Sequence, residues 1–143
     1  MMNKNGFTLL EILVVVLIIT ILATIVGVNV ARRPGEARVA AAVAHLGTFR
    51  TALQMYRMEQ GRFPTERQGL KALVEPSDIE PAPESFPEGG YLESFEVPQD
   101  PWGNDYVYLA PGRRGEPYEV LSYGADAEPG GEDEDADLSS SEL

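Results

Sequence analysis

At 143 residues, the chain leaves room for one small domain beside a single membrane-length helix. With no cysteine it can form no disulfide framework and do no thiol chemistry. Its net charge of −12 excludes a nucleic-acid surface, which needs a basic patch.

The first stretch is Gly6-Phe7-Thr8-Leu9-Leu10-Glu11, followed by an apolar run from Ile12 to Val30. Between Ile12 and Val28 there is no charge, and the only hydroxyls are those of Thr20 and Thr24. A helix over the 25 residues from Phe7 to Ala31 would span on the order of 37 Å, enough for a bilayer core of about 30 Å with some tilt. Lys4 keeps the leading end cytoplasmic. Glu11 lies inside the run, where an unpaired charge costs at least several kcal/mol, so it needs a partner. A cut between Gly6 and Phe7 would supply one: the new α-amine of Phe7 would lie one helical turn from Glu11. Two other readings are open. A secretory signal peptide with Lys4 as its basic region does not suit a run this long, carrying Glu11 and lacking an A-x-A-like site behind it. A plain membrane anchor would leave Glu11 incidental.

Arg32-Arg33-Pro34-Gly35 ends the run, and Pro34 predicts a kink or a short unwound segment at 32–35. Val39, Ala42, Val43, Leu46, Phe49, Leu53 and Tyr56 then recur every three or four positions, which predicts an amphipathic helix ending near Gly61. His45, the only histidine, falls on its polar side and reads as a solvated surface residue. Thr65 with Gln68 three positions on predicts a capped short helix through Leu73. Pro76, Pro81, Pro83 and Pro87, with Pro98 just beyond, make the next segment loop. Tyr91-Leu92 is a weak strand candidate; Asp105–Leu109 and Tyr118–Ser122 are stronger, joined by the loop Pro111–Gly115. Between the weak candidate and the first of these, Pro98 to Tyr106 reads as a tight turn with a buried Trp102. A small antiparallel sheet packed on the amphipathic helix would bury both apolar faces.

From Asp126 to the end there are eight carboxylates and no base, and removing them from −12 leaves −4. Composition alone favours a solvated, disordered acidic tail. The alternative is a calcium loop, since Ca²⁺ takes six to eight oxygens and glycines let a loop wrap around it. The spacing is not that of an EF-hand.

The segment from Gly6 to Glu11 resembles the class III signal of type IV pilins and pseudopilins, in which a prepilin peptidase cuts after the Gly and methylates the new N-terminus. Gly6 and Phe7 match the cleavage and methylation positions, and Glu11 the assembly glutamate. Asp100-Pro101-Trp102-Gly103, Pro64 to Leu73, Glu88-Gly89-Gly90-Tyr91 and Ser122-Tyr123-Gly124-Ala125-Asp126 resemble the major pseudopilin of type II secretion systems. The resemblance covers Gly6 to about Leu138. It departs at Val28, where relatives usually carry Pro before the position of Asn29, which would move helix loosening toward Gly27 or Pro34.

The resemblance implies an α+β, type IV pilin-like fold: a long N-terminal helix packed on a small antiparallel sheet, with a C-terminal acidic calcium-binding loop. It implies a cleaved leader at 1–6, a transmembrane and filament-core helix at 7–31, a periplasmic domain at 32–138 and a disordered tail at 139–143. One Ca²⁺ would be held by Tyr123 through its carbonyl, by Asp126, and by late acids among Asp133, Asp135 and Asp137. The implied function is that of a structural subunit, not an enzyme: a homopolymeric pseudopilus driving protein export. Its partners would be minor pseudopilins, the inner-membrane assembly platform and prepilin peptidase. The chain would sit in the bacterial inner membrane as a single pass with its C-terminal domain in the periplasm. The alternative is a type IV pilin of a surface fibre, against which stand the missing disulfide and the Asp-Pro-Trp-Gly segment. A membrane-anchored enzyme finds no nucleophile elbow, phosphate loop or paired histidine.

Overall fold

The computed structural model describes residues 7–143, with the backbone alone at 25–33. The expected leader, including Lys4 and Gly6, lies outside the described residues. The chain divides into two compact units, one reaching to Glu36 and the other running Ala37–Leu143.

Helix α1 runs Leu9–Gln60. Thr8 caps it: the backbone N–H of Glu11 donates to Thr8 Oγ1 at 3.2 Å and to the Thr8 carbonyl at 3.1 Å. Glu11 in this first turn also faces the positive end of the helix dipole. Thr20 and Thr24 turn their hydroxyls back onto the carbonyls of Val16 and Thr20 at 2.7 and 2.9 Å, which keeps both polar groups satisfied within the helix. Residues 32–35 are helical, so the unwound segment expected there does not form. A proline removes one backbone bond from a helix, and the turns on either side supply the rest. Among the described residues no helix is long and apolar enough to cross a membrane. The side chains of the expected span beyond Thr24 lie outside that description.

In the second unit, α1 presents Ala42, Leu46, Phe49, Ala52, Leu53 and Tyr56 as a buried stripe. Gly61, at φ 72°, ends the helix in the left-handed conformation that suits glycine. The stripe packs against Leu70, Leu73, Tyr91, Leu92, Tyr106, Tyr108 and Val120 in one core. Thr65 and Gln68 form the expected reciprocal cap, with N–H to side-chain distances of 2.8 and 3.3 Å. It opens a turn and then a 3₁₀ helix, Leu70–Leu73, in place of a regular α-helix. The buried Gln68 amide is the reason this loop holds: it donates to the carbonyls of Ile79 and Pro81 at 2.7 and 2.8 Å.

The sheet has three antiparallel strands in the order β1-β2-β3: β1 Val107–Leu109, β2 Glu119–Ser122 and β3 Leu138–Ser139. Val107 pairs with Leu121, and Leu121 in turn with Ser139. Tyr91-Leu92 is buried core but not a strand. The third strand instead comes from Leu138, the last residue of the expected domain, and Ser139, the first of the expected tail. Residues 139–143 are therefore not disordered: after β3 a 3₁₀ helix follows at Ser140–Glu142. Val120 N–H donates to the buried Ser140 Oγ at 2.9 Å, and the Leu143 carbonyl accepts from Arg50 at 3.0 Å.

Candidate functional site

Two regions carry the residues singled out by the sequence. In the first unit, Phe7 and Glu11 flank the start of α1. From Phe7 to Leu22 thirteen large apolar side chains are exposed, from 44% at Val14 to 86% at Leu9. A helix apolar all round is stable only where something covers it. Glu11 uses its backbone N–H for the cap, and among the described residues no ion pair engages its carboxylate. The cap is the T-x-x-E pattern of Thr8-Leu9-Leu10-Glu11, a signal in the sequence that marks Thr8 as part of the site. Gly6 lies outside the described residues.

The second region is the acidic loop between β2 and β3. Its base is closed by the Ala125 N–H donating to the Glu134 carbonyl at 2.9 Å, and by Asn104 Nδ2 donating to the Gly124 carbonyl at 3.0 Å. Gly124 sits at φ 69°, against the backbone of Glu134 and Asp135 where a Cβ would collide. Asp126 accepts from Glu128 N–H at 3.1 Å through Oδ1, and Asp137 accepts from Gly130 N–H at 2.9 Å. Asp133 and Asp135 bound the 3₁₀ turn Asp133–Asp135. Tyr123 directly follows β2 and is half-buried. The loop thus carries all five expected ligand residues, yet among the described residues no three acidic, His or Cys side chains converge enough to hold a metal ion. A cation here would draw most of its oxygens from backbone carbonyls and water.

Two carboxylates of the loop, those of Glu134 and Asp137, are held by side chains from elsewhere in the second unit. Trp102 Nε1 donates to Glu134 Oε2 at 3.1 Å, and Arg38 approaches the same oxygen at 3.5 Å. Trp102 is therefore half-buried with its ring nitrogen engaged, not enclosed in the core. Its turn is held by the buried Asp100, whose Oδ1 accepts from the N–H groups of Trp102 and Asn104 at 3.1 and 2.8 Å. Ser122 donates to Asp100 Oδ2 at 2.7 Å, tying the turn to β2. Arg113 reaches both Asp137, at 3.6 Å, and Glu119, at 3.0 Å. Glu119 is buried, and hydrogen bonding from Arg113 is the main reason its pKa is pushed down to about 2. Nothing in the spacing of Arg113 and Glu119 singles them out, because only the hairpin brings them together. His45 is also not the solvated residue expected: half-buried, it shares a hydrogen bond with the Tyr106 hydroxyl at 2.9 Å.

The family model for "Type II secretion system (T2SS), protein G" matches residues 29–141, and that for the "Prokaryotic N-terminal methylation motif" matches residues 1–27. The type II secretion system core protein G of Pseudomonas aeruginosa is 44% identical over 136 residues, covering 95% of this chain and 94% of that protein. That of Vibrio cholerae is 43% identical over 138 residues, with 96% and 92% covered. The crystal structure of the major pseudopilin from the type 2 secretion system of enterohaemorrhagic Escherichia coli superposes with a TM-score of 0.67 at 34% identity. It covers 80% of this chain and 96% of that one. With α1, the small antiparallel sheet and both sequence signatures in agreement, the chain belongs to the type II secretion system protein G family, the major pseudopilins.

Proposed function

We propose that the chain is the structural subunit of a periplasmic pseudopilus that drives protein export through a type II secretion system. The observation that carries this reading is the exposed apolar helix start with Glu11 as its one charge. Covering a Val, Leu or Ile side chain fully is worth about 1.5–3 kcal/mol, so thirteen half-exposed ones amount to more than about 10 kcal/mol. That outweighs the several kcal/mol needed to desolvate one carboxylate. Apolar burial therefore keeps the helix out of water, but it has no register. In lipid, moreover, one apolar helix does not prefer another on hydrophobic grounds. The directional contribution comes from Glu11. After prepilin-peptidase cleavage between Gly6 and Phe7, the α-amine of one subunit would neutralise the Glu11 of a neighbour. A repeated head-to-tail contact of that kind gives an open helical filament and not a closed ring.

The processed subunit would sit in the inner membrane as a single pass, residues 37–143 in the periplasm, until the assembly platform and minor pseudopilins bring it into the filament. Calcium is part of the proposal. The loop after Tyr123 would take one Ca²⁺ through Asp126, a late acid among Asp133, Asp135 and Asp137, and backbone carbonyls, which would offset local charge at the subunit surface. Support for this lies in the acidic, glycine-bearing loop and its closed base. Mass spectrometry of protein made with and without prepilin peptidase tests the processing step. A mature chain beginning at methylated Phe7 is expected; material starting at any other residue would leave no amine at the depth of Glu11.

A further inference from the structure

Strand β1 is an edge strand: the sheet order is β1-β2-β3, and among the described residues no backbone bond outside the sheet engages Val107 to Leu109. Beside it lies a groove of about 540 Å³ that takes in Asp105, Tyr106 and Tyr108 from the strand and its approach. Leu70, Val74 and Val97 supply its apolar surface. At its margin Phe95 stands 87% exposed, the most exposed large hydrophobic side chain of the second unit. The rim is acidic. Glu66, Glu75, Glu96 and Asp105 surround it against the single cation of Lys71, and no ion pair among the described residues engages them.

We propose that this groove is a docking site for an extended segment of a partner protein, carrying apolar side chains between Lys or Arg residues and adding to the edge of β1. Edge addition draws its affinity from main-chain hydrogen bonds and its specificity from pockets for alternate side chains. The unpaired edge supplies the first and the groove beside Phe95 the second. Charge complementarity selects the partner. This chain supplies no such segment from its own sequence. Of its 11 basic residues, those at 32, 33, 38, 50 and 57 lie in α1, Arg62 is bound to the carbonyls of Pro81 and Ala82, Arg67 lies within the Thr65–Gln68 cap, Arg113 and Arg114 lie in a glycine-flanked loop, Lys71 belongs to the groove itself, and Lys4 lies outside the described residues. A second copy, held in the filament by its apolar helix, brings a net charge of −12 and so no surplus of cations to this acidic rim, whereas a basic strand is attracted to it. The inference concerns the second unit only and stands apart from the pairing of Glu11.

The test is fluorescence anisotropy of the full chain in detergent with a labelled Lys-Val-Arg-Leu-Lys-Val peptide. Binding is expected, weakened about tenfold by Phe95→Ala or Glu96→Lys, two exposed positions at which the fold has little to lose. A Glu128→Gln, Glu132→Gln variant of the acidic loop, two exposed acids outside the groove, should bind as well as the parent. The same peptide N-methylated at alternate residues, unable to donate to the strand edge, should bind about tenfold more weakly. Binding that ignores Phe95→Ala and Glu96→Lys, or is lost in the acidic-loop variant, would mean diffuse charge attraction and overturn the proposal. So would indifference to N-methylation. Self-association abolished by Phe95→Ala in sedimentation would identify the occupant as a second copy, and overturn the choice of partner.

Discussion

Trp102 donates its indole N–H to Glu134 at 3.1 Å, joining the turn after Pro98 to the acidic loop across 32 positions of sequence. Arg38 of α1 meets the same oxygen, so helix, turn and loop share one carboxylate. Trp102→Phe keeps most of the ring and removes the donor. Glu134 is 40% exposed and can recover water, so the expected loss is about 1 kcal/mol in chemical denaturation, below the about 1.5–3 kcal/mol usual for a bond to a charged group. Glu134→Gln should lose a similar amount. No change in either variant would mean that the loop is held by its backbone alone.

The Arg113–Glu119 pair predicts an acid-dependent stability. The carboxyl of Glu119 falls from 4.5 to about 2 on folding, because Arg113 and Ser139 bond its charged form. A depressed folded value stabilises the protein above the unfolded one. The contribution is therefore complete above about pH 4.5 and fades as pH falls toward about 2. The gap in melting temperature between the parent and Glu119→Gln should close over that window. Arg113→Ala, which strands a buried charge, should cost about 3 kcal/mol at neutral pH, or somewhat less because Arg113 is itself 45% exposed. A gap independent of pH would contradict the pairing.

The end of the chain is predicted to be structural. Ser140→Ala removes the acceptor of the buried Val120 N–H, a bond of 2.9 Å, and should cost about 1–3 kcal/mol measured by urea unfolding. A neutral substitution would return residues 139–143 to the status of a tail.

That last segment marks where the sequence stopped being legible. The helical stripe from Ala42 to Tyr56, the Thr65–Gln68 cap and the hairpin of β1 and β2 follow from local periodicity and spacing, and the structure has them. Leu138-Ser139 has no such signature. Two residues after a run of acids look like solvated chain, and they become a strand only because Ser122 and Leu121 of β2 offer an open edge. His45 misled for the same reason: its partner Tyr106 lies 61 positions away, beyond any helical pattern. The Phe7–Glu11 start was readable from spacing, and its Thr8 cap could have been. The acidic loop was readable as composition, but not as the bonds from Trp102 and Arg38 to Glu134 and from Arg113 to Asp137.

Calcium in the acidic loop should raise the melting temperature of the full chain, and chelation should lower it. A ligand at a hundred times its dissociation constant contributes about 2.7 kcal/mol to the folded state. Asp126→Asn should abolish the difference. Identical melts with and without chelator would remove the metal from the account.

The central claim is that one carboxylate in an apolar helix sets the stacking of subunits. It is tested most directly by electron microscopy of pseudopili from cells expressing Glu11→Ala, alongside membrane fractionation of the same cells. The account predicts a processed subunit that still inserts in the inner membrane but yields no filaments. Filaments of normal number and length from Glu11→Ala would contradict it.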